Sequence, residues 1–208
     1  MRIVIALTCL ALLVGFNKAM AQATHSLSVS RHVSVSFSES QVDEILAAAS
    51  KMLQKAGSPG ACDVTLKRIG PIQTFTSPNP EGIIRNTTDR DAVHRVNFDS
   101  SVINVKIVNE IKSCLPGNTD FVGCGWPKSF RSIIMVAHQH FPELVWPHEF
   151  GHQTGLFHRP VDKATALMSP CPLGADNVQV NQDECTCFQK GLGGCPHLKE
   201  VHPGCTQH

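Results

Sequence analysis

The sequence predicts an α+β fold: a twisted, mixed but mostly parallel sheet, a histidine-bearing helix, and a small cysteine-rich C-terminal lobe. Three observations carry that expectation. Near the start a strand, a helix and a strand follow one another, the order of a βαβ unit with parallel strands. A later helical stretch, near 143–154, holds two histidines four residues apart. Five of the eight cysteines outside the N-terminal leader fall after Pro160, where Gly and Pro are frequent and apolar runs are short.

The leader comes first. Met1-Arg2 precedes an apolar run from Ile3 to Phe16, then Asn17-Lys18 and the small-x-small sequence Ala19-Met20-Ala21. This is the pattern of a secretory signal peptide over 1–21. This run of 14 residues falls short of the ~20 that a spanning helix needs, and no later segment is apolar enough to cross a bilayer. Cleavage would leave residues 22–208 as one domain, with an N-terminal lobe over about 32–158 and a C-terminal lobe over 159–208. That chain has 187 residues and a formal charge of −1, which argues against a nucleic-acid binder, since such a protein needs a basic face. It is expected to be secreted or periplasmic and monomeric, with no membrane contact. Eight cysteines in an exported chain suggest disulfides. Cys114 and Cys124 flank a Pro-Gly-Asn loop and are the first expected pair. Asn86-Thr87-Thr88 is a glycan acceptor in a eukaryotic source.

The elements follow in order. Residues 22–31 read as polar and irregular, and the alternation Val33, Val35, Phe37 predicts the first strand. Ser38 and Gln41 form a capping box. Val42, Ile45, Leu46, Ala49, Met52 and Leu53 then recur at helical spacing until Gly57. Cys62, Val64 and Leu66 predict a second strand to about Ile69. Residues 70–100, rich in Pro, Asn, Asp and Thr, read as a long surface excursion with a short helix near Asp89–His94. Val102–Val108 predicts a third strand, and 112–128 a loop or irregular edge strand. Ser132–Ala137 predicts a short buried strand. A helix is expected over Glu143–Thr154, starting late enough for Pro147 to fall in its first turn. A last helix is expected from Asn181 to Lys190, stopped by Gly191.

The chemistry lies in 148–158, which reads H-E-x-x-H-x-x-G-x-x-H. Helical residues four apart lie about 40° apart around the axis and about 6 Å apart along it. His148 and His152 therefore point the same way and can hold one zinc ion. Glu149 sits beside that metal but not on it, where a general base for the attacking water belongs. Gly155 can take the left-handed conformation that ends the helix, which lets His158 approach as third ligand. Three neutral imidazoles leave one position open, the mark of a catalytic rather than a structural zinc. Five fixed residues at this chain's own frequencies would match by chance in roughly one chain in ten thousand.

This motif resembles the metzincin clan of zinc endopeptidases. Ala166-Leu167-Met168-Ser169-Pro170, with Met168 ten residues after His158, looks like the clan's Met-turn and is most like its matrixin and adamalysin forms. The resemblance implies that Met168 lies under the histidines as a hydrophobic floor, and a soft thioether suits such a gap. It also implies parallel strands, an antiparallel edge strand lining the cleft where Gly123-Cys124-Gly125-Trp126 falls, and an active-site helix. Ser169–Val180 would wall the pocket for the residue after the scissile bond. The chain departs from the family at Arg159, where matrixins have Ser, in a longer spacing from His158 to Met168, and in having no tyrosine.

The implied activity is hydrolysis of peptide bonds in a protein or peptide substrate by a zinc metalloendopeptidase with one catalytic zinc and Glu149 as general base. Two other classes fit the same composition: a non-catalytic zinc-binding secreted module, and a Cys-rich effector that binds a host protein. An intact Glu149 weighs against the first. His138 and His140 form a candidate second metal pair. Cys185, Cys187 and Cys195 with His197 and His202 could mimic a zinc knuckle, against which disulfides are expected in an exported chain.

Overall fold

The computed structural model describes residues 22–55, 62–114, 122–125, 132–159, 165–169, 174–176, 178–193 and 195. The leader, Gly57, Trp126, Pro170, Cys171, Cys205, His197 and His202 lie outside the described residues.

The main sheet is built from β1 (Ala23–His32), β2 (Val64–Arg68), β3 (Gln73–Phe75), β5 (Ile103–Val108), β7 (Gly123–Gly125) and β8 (Ser132–Val136). Its order is β2-β1-β5-β8-β7, and β3 also pairs with β1. All pairs are parallel except β7 with β8, which is antiparallel. β1 bonds β2 along residues 23–27 and β3 along 30–32, so β2 and β3 follow one another along one edge of β1. A small parallel pair joins β4 (Ile83–Ile84) to β6 (Glu110–Ile111).

Strand alternation sorts the side chains onto two faces. Ile103, Val105 and Ile107 of β5 and Ile133 and Met135 of β8 enter the larger core, with α1 (Glu39–Lys55) and α3 (Pro142–Thr154). Val108 and Ile134 enter a second core with Phe75, Ile84 and Val93, the last on α2 (Thr87–Arg95). The capping box of α1 is present: the Ser38 amide donates to Gln41 Oε1 at 2.7 Å and the Gln41 amide to Ser38 Oγ at 3.2 Å. Val42, Leu46, Ala49 and Leu53 form its buried stripe.

Three expectations need correction. The first strand is Ala23–His32, not Val33–Phe37. β1 is flanked on both edges and covered on both faces, so only Leu27 and Val29 show the apolar alternation. Ser30 and His32, also fully buried, serve the second face. Val33 and Ser34 are a turn, and Val35 and Phe37 are buried in the lead-in to α1. Second, 70–100 is more than a surface excursion. Besides the expected short helix, α2, it supplies β3 and β4, and Phe75, Ile84 and Val93 are core residues. α2 is capped by Asn86, whose side chain accepts from the Asp89 amide at 2.9 Å. Third, Pro147 lies inside α3. The helix starts at Pro142, whose fixed φ and missing donor suit a first position. Pro147 therefore removes one hydrogen bond from the second turn.

The last helix, α4 (Gln182–Lys190), has Asn181 as N-cap and Gly191 as C-cap. Disulfides join Cys114 to Cys124, Cys62 to Cys185, and Cys187 to Cys195. Cys185, Cys187 and Cys195 are thus bridged rather than arranged as a knuckle. The C-terminal segment does not rest on bridges alone, because Leu167, Met168, Val180 and Phe188 belong to the larger core.

Candidate metal centre

The site is built on the C-terminal half of α3. The helix is buried almost all round, so its register is set by packing. His148 and His152 face one way, one turn apart. Gly155 then takes φ 101°, and its amide donates back to the carbonyls of Gly151 and His152. A Cβ there would be strained at that φ and would come within 3.3 Å of the Cys195 carbonyl oxygen. The chain turns through Leu156 and returns His158 to the other two rings.

His152 Nε2 lies 3.1 Å from His158 Nε2, which lies 3.3 Å from His148 Nε2. A tetrahedral ion holding nitrogens at 2.0–2.1 Å would space them about 3.3 Å apart. The spacing therefore fits zinc. These three form the one group of three or more potential ligating side chains among the described residues. His138 and His140 gain no third donor, and both are exposed.

The chain fixes the tautomers as well. His148 Nδ1 donates to the Leu167 carbonyl at 2.7 Å, and His152 Nδ1 to the Leu156 carbonyl at 2.9 Å. A carbonyl only accepts, so each Nδ1 carries the proton and each Nε2 lone pair faces the shared centre. Burial, then the charge of a neighbouring imidazole, pushes His148 down to about 4 and His152 down to about 3. Both rings are held neutral, the form that ligates metal.

Glu149 projects from α3 toward β7. Its carboxylate accepts from the Gly125 amide. Burial pushes its pKa up to about 8, and that amide offsets part of the shift. Two glycines make the room: a Cβ at Gly123 would lie 2.6 Å from Glu149 Oε1, and one at Gly125 2.6 Å from Oε2. Met168 is fully buried beneath α3. A Cβ at Gly151 would lie 2.5 Å from its sulfur, so that glycine lets the thioether reach the helix backbone.

Of the five residues singled out in the sequence, His148, His152 and His158 are brought together, Glu149 is turned to β7, and Met168 lies against Gly151 of the same helix. Sequence reasoning missed the carbonyls of Leu156 and Leu167, the small residues Gly123, Gly125 and Gly151, and the partner of Arg159. The Gly-x-Gly spacing on a predicted edge strand was the available signal for the first pair of glycines. Arg159 pairs through a bidentate fork with Glu184 of α4.

No protein-family model matches the sequence, and no curated protein does. Among solved structures, the fold is similar to that of archaemetzincin from Methanopyrus kandleri. The TM-score is 0.51 at 13% identity, covering 80% of this chain and 94% of that one. Metalloproteinase-II from Bacteroides fragilis gives a TM-score of 0.48 at 15% identity, covering 83% of this chain and 54% of that one. At these identities the likeness is one of fold, carried by the first comparison: the sheet and helices follow a metzincin-like arrangement.

Proposed function

We propose that the chain is an exported zinc-dependent endopeptidase of metzincin type. The observation that carries the reading is the convergence of three histidines, with His158 Nε2 3.1 and 3.3 Å from the other two Nε2 atoms, and with the carboxylate of Glu149, the residue after the first of them, held to β7. His148, His152 and His158 would hold the metal. A zinc ion bound there supplies a Lewis acid that polarises a carbonyl and acidifies a water.

The remaining steps belong to the chain. Glu149 takes a proton from the attacking water and delivers it to the leaving amine, a role worth ~10²–10⁴-fold. Its buried setting raises its proton affinity and suits it to both halves of that transfer. β7 ends the sheet order, so an extended substrate can add along it by main-chain hydrogen bonds. Met168 supports the ligand helix and touches no substrate. The matrixin and adamalysin forms remain the nearest reading of the turn around Met168. The chain has no tyrosine, so no tyrosine hydroxyl takes part.

The test is a comparison of new N-termini in a proteome treated with the wild-type protein and with Glu149→Ala. Wild type should generate a defined set of cleavages that the variant does not. Identical sets, or none from zinc-loaded wild type, would refute the reading.

A further inference from the structure

We infer that Arg159 is a positioning residue for the metal centre: its ion pair with Glu184 holds His158 in ligating position, so that helix α4 sets the affinity for zinc. The inference rests on the reading of the histidine triad as a zinc site.

The three histidines stand on different backbone. His148 and His152 stand on a buried helix, and a carbonyl fixes each ring. His158 stands in the irregular stretch 156–159, beyond the helix end. The next residue anchors that stretch at two points. The Arg159 amide donates to the Met168 carbonyl at 2.8 Å. Its guanidinium donates through Nε and Nη2 to both carboxylate oxygens of Glu184.

The pair is withdrawn from water, with side chains 16% and 3% exposed. Removing two charges from water costs about what their attraction returns, so such a pair is a weak source of net stability. What the fork supplies is geometry: two parallel N–H···O bonds fix direction as well as distance.

Glu184 is itself fixed. Its carboxylate also accepts from the Asn181 amide at 2.8 Å, while its own amide donates to Asn181 Oδ1 at 2.8 Å, the reciprocal capping box of α4. The next residue, Cys185, is bridged to Cys62 beside β2. A covalent and ionic line therefore runs from the N-terminal half through Cys185, Glu184 and Arg159 to His158. Glu184 is 25 residues from Arg159 in sequence, and nothing in the ligand motif itself requires it.

The test is zinc affinity, measured without substrate by competition with a chromophoric chelator on the purified zinc-stripped protein. The variants are Arg159→Gln, Arg159→Lys, Glu184→Gln and the double glutamine variant, each checked for native near-ultraviolet dichroism. Glu184→Gln keeps an N3 side chain that completes a capping box, so it carries the test should Arg159→Gln fail to fold. Partners that orient metal ligands typically contribute 10–100-fold in affinity, so each glutamine variant should raise the Kd by roughly that factor. The double variant should do no worse than either single one, and Arg159→Lys should fall between.

Folded variants with wild-type affinity, even if less heat-stable, would reduce the pair to a clamp on α4 and overturn the inference. So would single effects that multiply in the double variant. A folded wild-type protein that takes up no zinc would overturn the metal reading itself. A zinc-binding wild type without peptidase activity would refute only the proposed function.

Discussion

His148 donates from Nδ1 to the carbonyl oxygen of Leu167 at 2.7 Å, so the residue before Met168 orients the first of the three rings. Met168 itself packs on Gly151, nearly one turn further along the same helix. One short segment thus does two jobs: its main chain sets a tautomer and its thioether supports the helix. That explains why a buried methionine belongs here without ligating anything.

Gly151→Ala should destabilise the zinc-free protein by roughly 1–3 kcal/mol through overpacking against the Met168 sulfur, although Ala exceeds Gly in helix propensity by ~1 kcal/mol. In a Met168→Ala background the same change should be neutral or stabilising. Met168→Leu alone should cost less than about 1.5 kcal/mol and keep the zinc. Urea unfolding of the four proteins in the glycine–methionine cycle measures the coupling. An equal cost of Gly151→Ala in both backgrounds would show that the glycine is not there for Met168.

The bridges should differ in weight. Cys62 and Cys185 are 123 residues apart, Cys114 and Cys124 only 10. Chain entropy assigns about 5 kcal/mol to the long loop and about 3 kcal/mol to the short one. Replacing the Cys62–Cys185 pair by alanines should therefore lower stability more than replacing Cys114–Cys124. Denaturant titration of the two double variants decides it, and the reverse order would contradict the account.

Lys106 should make the protein less stable at neutral pH than at alkaline pH. It is fully buried on β5, with Nζ 3.0 Å from the Asn97 carbonyl oxygen. Burial lowers its pKa to about 8. The unfolded chain, near 10.4, binds the proton more tightly, so stability should rise as pH climbs from about 8 toward about 10.5. No tyrosine titrates in that window, since the chain has none. Lys106→Met should raise stability at pH 7 by roughly 2–3 kcal/mol and flatten the rise. A wild-type stability that falls or stays level across the window would show that the native lysine keeps its ordinary pKa.

Much of this was legible because it is local. The capping box at Ser38, the apolar stripe of α1, the β-branched run of β5 and the spacing from His148 to His158 each express their structure within a few residues. β1 was hidden because its second face is buried with Ser30 and His32 rather than apolar side chains, so the apolar alternation is plain in the sequence only from Val33, where the strand has already ended. β3 and β4 were hidden because residues 70–100 are polar in composition, while Phe75, Ile84 and Val93 reach the second core; the short helix in that stretch was legible and is α2. At the centre, the ligands could be read but their supports could not. Leu156 and Leu167 act through main-chain oxygens that no side chain advertises, and Glu184 meets Arg159 only after the chain has folded.

The most direct test of the central claim is casein hydrolysis by Glu149→Ala, measured after its zinc content has been set to one ion per chain. Glu149 is not among the converging nitrogens, so the variant should hold zinc like wild type and keep the native fold. It should also lose peptidase activity by roughly 10²–10⁴-fold. Hydrolysis at the wild-type rate by the zinc-loaded variant would contradict the account.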